Sequence, residues 1–135
     1  MFTKSFYRIH NLDYIENLLV PEAQVSDTAA ATEETQRRGV SACESIWELA
    51  AYFSISSLAI SNETLVKMTG TISDDQPLDA EYGEVLIFPE TYEILDVDFY
   101  EIISPLVDAV WENGWGPEDF REISDLAYDL FIDLD

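Results

Sequence analysis

The sequence predicts an α+β domain: a small mixed or antiparallel sheet with flanking helices and a helical, acidic C-terminal end. Three observations lead there. Apolar residues alternate over 64–72 and 91–97, whereas over 44–53 and 117–134 they recur at helical spacing. Strand-type and helix-type segments are interleaved, with Ser-Pro and Gly punctuating the last third. Finally, 135 residues with 47% hydrophobic and 13% aromatic content suffice for one core. A single domain is expected, with 1–97 as an α/β core and 98–135 as an acidic helical subregion.

Each element has its own signal. Ser5-Phe6-Tyr7-Arg8-Ile9 is aromatic and β-branched and reads as a first strand. Asn11 can cap a short helix carrying Leu12, Ile15, Leu18 and Leu19, with Pro21 just beyond. Residues 22–36 are polar and without period, a loop. Gly39-Val40-Ser41-Ala42 is briefly extended. In the helix that follows, Ile46, Trp47, Leu49, Ala50 and Phe53 share a face, and Ser41 and Glu44 have capping-box spacing for its start. Residues 64–72 form a strand, 73–83 an acidic loop, and 84–88 a nearly continuous apolar strand that Pro89 interrupts before 91–97 resumes it. Ser104-Pro105 reads as an N-cap followed by Pro at the first helical position, with Gly114 placed to end that helix. Gly116-Pro117 opens the last one.

Charge is distributed very unevenly. Residues 1–67 carry 9 carboxylates against 5 Lys/Arg, a net of −4. Residues 68–135 carry 19 carboxylates against Arg121 alone, a net of −18. Net charges of magnitude roughly 2–8 already keep a small domain soluble. A larger one-signed excess works against the compact state by self-repulsion. The excess therefore points to a basic partner.

The rest of the composition mostly excludes. A lone Cys43 rules out an internal disulfide framework and suits a reducing compartment, and it reads as a small buried hydrophobe. No apolar run approaches the ~18 residues of a membrane span, and Met1-Phe2-Thr3-Lys4-Ser5 lacks the apolar stretch of a signal peptide. A cytoplasmic protein without membrane contact is expected. His10 is the single histidine, which excludes a multi-histidine metal site and reads as structural. Asp74, Asp75, Asp79, Glu81 and Glu84 are hard oxygen donors, but Pro77 breaks any EF-hand spacing. That loop is taken as solvated or partner-binding, and no metal is expected. With no Gly-rich phosphate loop and this charge, direct nucleic-acid binding is not expected.

The final helix carries the main functional expectation. At about 100° per residue, Phe120, Ile123, Leu126, Ala127, Leu130, Phe131 and Leu134 fall within an arc of about 140°. Glu118, Glu122, Asp125, Asp129 and Asp133 fall within about 80° on the other side. Their rungs lie roughly 4.5–6 Å apart along the axis, comparable with phosphates along one nucleic-acid strand. Like charges at i, i+4 and anions at a helix C-terminus both destabilise a helix by a few tenths of a kcal/mol. Asp108 and Glu112 repeat the spacing on the preceding helix, with Asp96, Asp98 and Glu101 just upstream. These ten residues form the expected partner surface. Asp74, Asp75, Asp79 and Glu81 form a secondary one.

In charge distribution over 74–135, the chain resembles the small acidic DNA-mimic inhibitors that phages and plasmids deploy against restriction enzymes and CRISPR effectors. The resemblance implies a catalytically inert protein that fills a basic nucleic-acid channel, in the host cytoplasm, with no cofactor.

A second resemblance covers residues 5–97. Glu84-Val85-Leu86-Ile87, with Pro89, Thr91 and the strand to Val97, looks like the ADP-ribosyltransferase strand that begins at the catalytic glutamate. Arg8 on an early strand and Ser41 in Gly39-Val40-Ser41-Ala42 occupy matching places in that order. The resemblance implies an NAD site in which Glu84 holds a ribose hydroxyl, Arg8 the phosphates, and Ser41 the scaffold. Tyr82 stands where arginine-modifying members carry Glu or Gln. An acidic adaptor or chaperone of a basic protein is a third reading.

Overall fold

A computed structural model describes residues 4–26, 37–56, 63–77 and 79–134. The strands are β1 (Ser5–Asn11), β2 (Val25–Ser26), β3 (Arg37–Arg38), β4 (Val40–Ala42), β5 (Glu63–Ile72) and β6 (Val85–Leu95). The helices are α1 (Ile46–Ser56), α2 (Phe99–Asn113) and α3 (Phe120–Phe131). Strands β1-β5-β6-β4 form one antiparallel sheet, and β2 and β3 pair as a separate short ribbon. This is the expected α+β class.

Alternation decides what each face of the sheet covers. Tyr7, Ile9 and Leu65 point toward the three helices, where Leu49, Ala50, Phe99, Ile103, Leu106, Ile123, Ala127 and Phe131 close over them. Phe6, Val66, Met68, Val40, Ala42 and Ile87 point the other way, and Leu18 of the 3-10 segment Leu12–Leu19 seals them at 1% exposure. Because both faces are covered, the start of β6 is apolar without alternation. The acidic C-terminal helices share the sheet's core, since Ile103, Ile123 and Phe131 belong to the same cluster as Tyr7.

The two edges of the sheet also meet. The Tyr7 N–H donates to the Cys43 carbonyl at 2.8 Å, and the Cys43 N–H donates back at 2.9 Å. This bridge is isolated. Two residues further on it would set Ile9 against Ser41, but no bridge continues there, and the Ser41 carbonyl accepts from Arg8 Nη1.

Several boundaries differ from the sequence reading, each for a local reason. Helix α2 begins at Phe99, capped by Asp98, whose Oδ1 accepts the Glu101 N–H at 3.2 Å. Pro105 therefore lies inside the helix and cannot donate to the Glu101 carbonyl. The Ser104 hydroxyl donates to that carbonyl instead, at 3.1 Å. The capping serine of α1 is Ser45, not Ser41: its Oγ accepts the Glu48 N–H at 3.2 Å and donates to Glu48 Oε1 at 2.8 Å. Strand β6 runs through Pro89, with Gly70 opposite it and Glu90 left over as a bulge. A Cβ at Gly70 would run into the Phe88 carbonyl, so only glycine fits.

Other expectations are refined. Asn11 does cap its segment, accepting the Asp13 N–H at 2.8 Å, but the segment is a 3-10 helix kinked at Tyr14. Of the polar loop 22–36, Pro21–Ala23 forms a 3-10 turn and β2 follows, while 27–36 lie outside the described residues. Gly114 ends α2 at φ 63°. The last helix is α only over Phe120–Phe131, with 3-10 turns at Pro117–Asp119 and Ile132–Leu134. On its expected core arc Ile123, Ala127 and Phe131 are buried, whereas Leu130 and Leu134 remain 42% and 45% exposed.

Candidate functional site

The acidic surface is built by α2, α3 and the segments leading into them. Asp96 and Asp98 sit between β6 and α2; Glu101, Asp108 and Glu112 lie on α2. Glu118 lies on the 3-10 turn, Glu122, Asp125 and Asp129 on α3, and Asp133 on its 3-10 extension. All ten side chains are exposed. Asp98 is also engaged as the α2 cap. The described ion pairs are Lys4–Glu44 at 2.7 Å and Arg38–Asp75 at 3.5 Å, and neither touches this surface. Arg121 stands exposed on α3 within reach of Glu118 and Asp125 by helical spacing, yet among the described residues it closes on neither. The ladder is therefore anionic without internal compensation among the described residues.

The secondary acidic loop is tied into the fold at two of its four carboxylates. Asp75 Oδ2 accepts the Arg38 backbone N–H at 2.7 Å, which with the Arg38 guanidinium holds its carboxyl below the usual range. Asp79 accepts the Tyr52 hydroxyl, so that burial and this bond push the phenol well above its ordinary value. Asp74 and Glu81 face solvent.

Arg8, Ser41 and Glu84 come together around Ser41. The Ser41 hydroxyl donates to Glu84 Oε2 at 2.5 Å, and Arg8 Nη1 donates to the Ser41 carbonyl at 2.6 Å. The other Glu84 oxygen accepts the Asp79 N–H at 2.9 Å, and Glu84 is only 7% exposed. Burial lowers the Arg8 pKa to about 10, with the Glu84 charge opposing the shift. Arg8 Nε donates to His10 Nδ1 at 3.0 Å, so the histidine proton sits on Nε2, 3.1 Å from the Tyr14 carbonyl it can donate to. Burial and then the Arg8 charge lower the His10 pKa. A cleft of about 240 Å³ opens beside Arg8, His10, Asn17 and Ser41, and Glu84 is not among its lining residues. Chemically the cluster links β1, β4 and the loop before β6, and each carboxylate oxygen of Glu84 accepts a hydrogen bond within the fold.

Sequence reasoning missed the pairing of two aromatic rings beside the acidic face. Trp47 on α1 and Tyr128 on α3 meet edge to face with ring centroids 5.3 Å apart. They line a cleft of about 480 Å³ with Ser124, Asp125 and Asp129. Tyr128 falls between the apolar and acidic arcs of its helix, which was the available signal. Trp111 on α2, 83% exposed, lines a second opening with Val110 and Trp115. No described helix is long and apolar enough to cross a membrane. Comparisons with family models, with curated proteins and with solved structures find no match to this chain.

Proposed function

We propose that the chain is an acidic inhibitor that binds the basic channel of a nucleic-acid-binding protein through the carboxylates of α2 and α3. The carrying observation is that ten exposed carboxylates run along one helical region without an ion pair among the described residues. In isolation their mutual repulsion opposes the fold, as does the macrodipole at Glu112, Asp129 and Asp133 near the helix C-termini. Against a lysine- and arginine-lined channel the same charges are neutralised, as phosphates are. The target class that fits is a nuclease complex of host defence, either a CRISPR effector or a restriction enzyme. Inhibition then follows from exclusion of the nucleic acid and needs no chemistry.

The convergence of Arg8, Ser41 and Glu84 favours a second reading, an ADP-ribosyltransferase relative that would use NAD. The occupied oxygens and burial of Glu84 support a structural role for the cluster instead. An adaptor or chaperone of a basic protein is the third reading. Capture of the partner from a host lysate, then challenge with duplex DNA or RNA, separates the three. The inhibitor reading expects the nucleic acid to displace the partner. Co-binding would support the adaptor, and NAD consumption with an ADP-ribosyl mass on the target would support the enzyme.

A further inference from the structure

The cleft between α1 and α3 combines features that a merely solvated acidic face does not need. Trp47 lies in the first turn of α1 and Tyr128 near the end of α3, and the two helices pack closely. Their rings meet at 86°, and an edge-to-face pair leaves each ring at least one face that the other does not cover. Tyr128 is half exposed, at 48%. Asp125 and Asp129, one helical turn apart, stand at the same opening with the Ser124 hydroxyl. A π-face, two carboxylates and a hydroxyl acceptor around about 480 Å³ suit a planar cation with several N–H donors.

We infer that this cleft seats one arginine side chain of the basic partner, which stacks on the Trp47–Tyr128 pair and is held by Asp125 and Asp129. The inference rests on the inhibitor reading for the partner's identity, but not for the cleft's chemistry. Arginine fits better than lysine because its guanidinium is flat, weakly hydrated and forked, so it stacks and bonds a carboxylate at once. An anionic or neutral occupant would leave the two carboxylates unanswered. A second copy of this chain could offer Arg121, but its approach would set two surfaces of like charge against each other. The partner's basic channel supplies the cation without that repulsion.

The test uses the full chain with N-acetylarginine amide and N-acetyllysine amide as probes, read at the Trp47 indole N–H by NMR. A saturable shift is expected for the arginine probe, with roughly tenfold weaker binding for lysine. Tyr128→Ser should weaken arginine binding about tenfold. The double change Asp125→Asn with Asp129→Asn, which keeps the aromatic pair, should abolish saturation, and Glu93→Gln, exposed on β6 and outside the acidic surface, should change nothing. A shift that fails to saturate, that is equal for both probes, or that survives the double change would overturn the cleft. Arginine binding in a chain that no nucleic-acid-binding protein captures would uphold the cleft and sink the inhibitor reading. Partner binding displaced by DNA, with no arginine response at Trp47, would do the reverse.

Discussion

The Ser41 hydroxyl lies 2.5 Å from Glu84 Oε2 and joins the short strand β4 to the residue that leads into β6. This bond and the Asp79 N–H satisfy both oxygens of a nearly buried carboxylate. Ser41→Ala would leave one oxygen without its partner, at a cost of about 1–3 kcal/mol. Urea unfolding should show that loss while partner binding stays unchanged. If stability holds and inhibition disappears, the cluster belongs to the functional surface after all.

His10 gives the fold a sensitivity to mild acid. Its folded pKa lies below the ordinary value because burial and the neighbouring Arg8 disfavour the cation. As pH falls below ~6.5 the unfolded chain takes up the proton first. The stabilisation is therefore complete above that value and is lost progressively down to the folded pKa. Melts at pH 7.5 and 5.5 should show a larger acid loss for the wild type than for His10→Gln. Equal losses would contradict a neutral, hydrogen-bonded His10.

Ser104 and Pro105 should be energetically coupled. In the wild type the Ser104 hydroxyl answers the carbonyl that Pro105 leaves open, so Ser104→Ala should cost about 0.5–1.5 kcal/mol. Pro105→Ala restores the backbone donor and should raise stability. In that background Ser104→Ala should cost almost nothing. A double-mutant cycle measures the difference, and simple additivity would refute the coupling.

This pair also shows where the sequence misleads. Ser-Pro is a sound signal for a helix start, and only the register of Ile103 and Leu106 in the core reveals that the helix had begun at Phe99. Ser41-x-x-Glu44 and Ser45-x-x-Glu48 satisfy the same capping pattern, and tertiary contact decides between them: Glu84 takes Ser41, leaving Ser45 to cap. Pro89 looks like a break, but the bulge at Glu90 and the bare Gly70 opposite let the strand pass. The acidic ladder was legible because it is a local, periodic property of α3. The Trp47–Tyr128 cleft was not, because it needs two helices far apart in sequence to be packed together.

The uncompensated carboxylates also predict opposite effects of salt on stability and on binding. Screening shortens the reach of exposed charges from ~30 Å at 0.01 M to ~8 Å at 0.15 M salt. The free chain should melt higher over that range, and its affinity for the partner should fall steeply. A lower melting temperature in salt would mean that the acidic face is held by attractions within the fold.

The most direct test reverses charge on the outer face of α3. Glu122, Asp125 and Asp129 are all exposed, so changing the three to Lys removes the ladder without touching Ile123, Ala127 or Phe131 beneath. Circular dichroism should report an unchanged fold, with a melting temperature equal to or above that of the wild type because the net negative charge falls and residues 122 and 129 then face Glu118 and Asp133 as opposite-charge i, i+4 pairs. Binding to the captured nucleic-acid-binding partner should be lost at physiological salt. A triple variant that folds and binds the partner as tightly as the wild type would contradict the account.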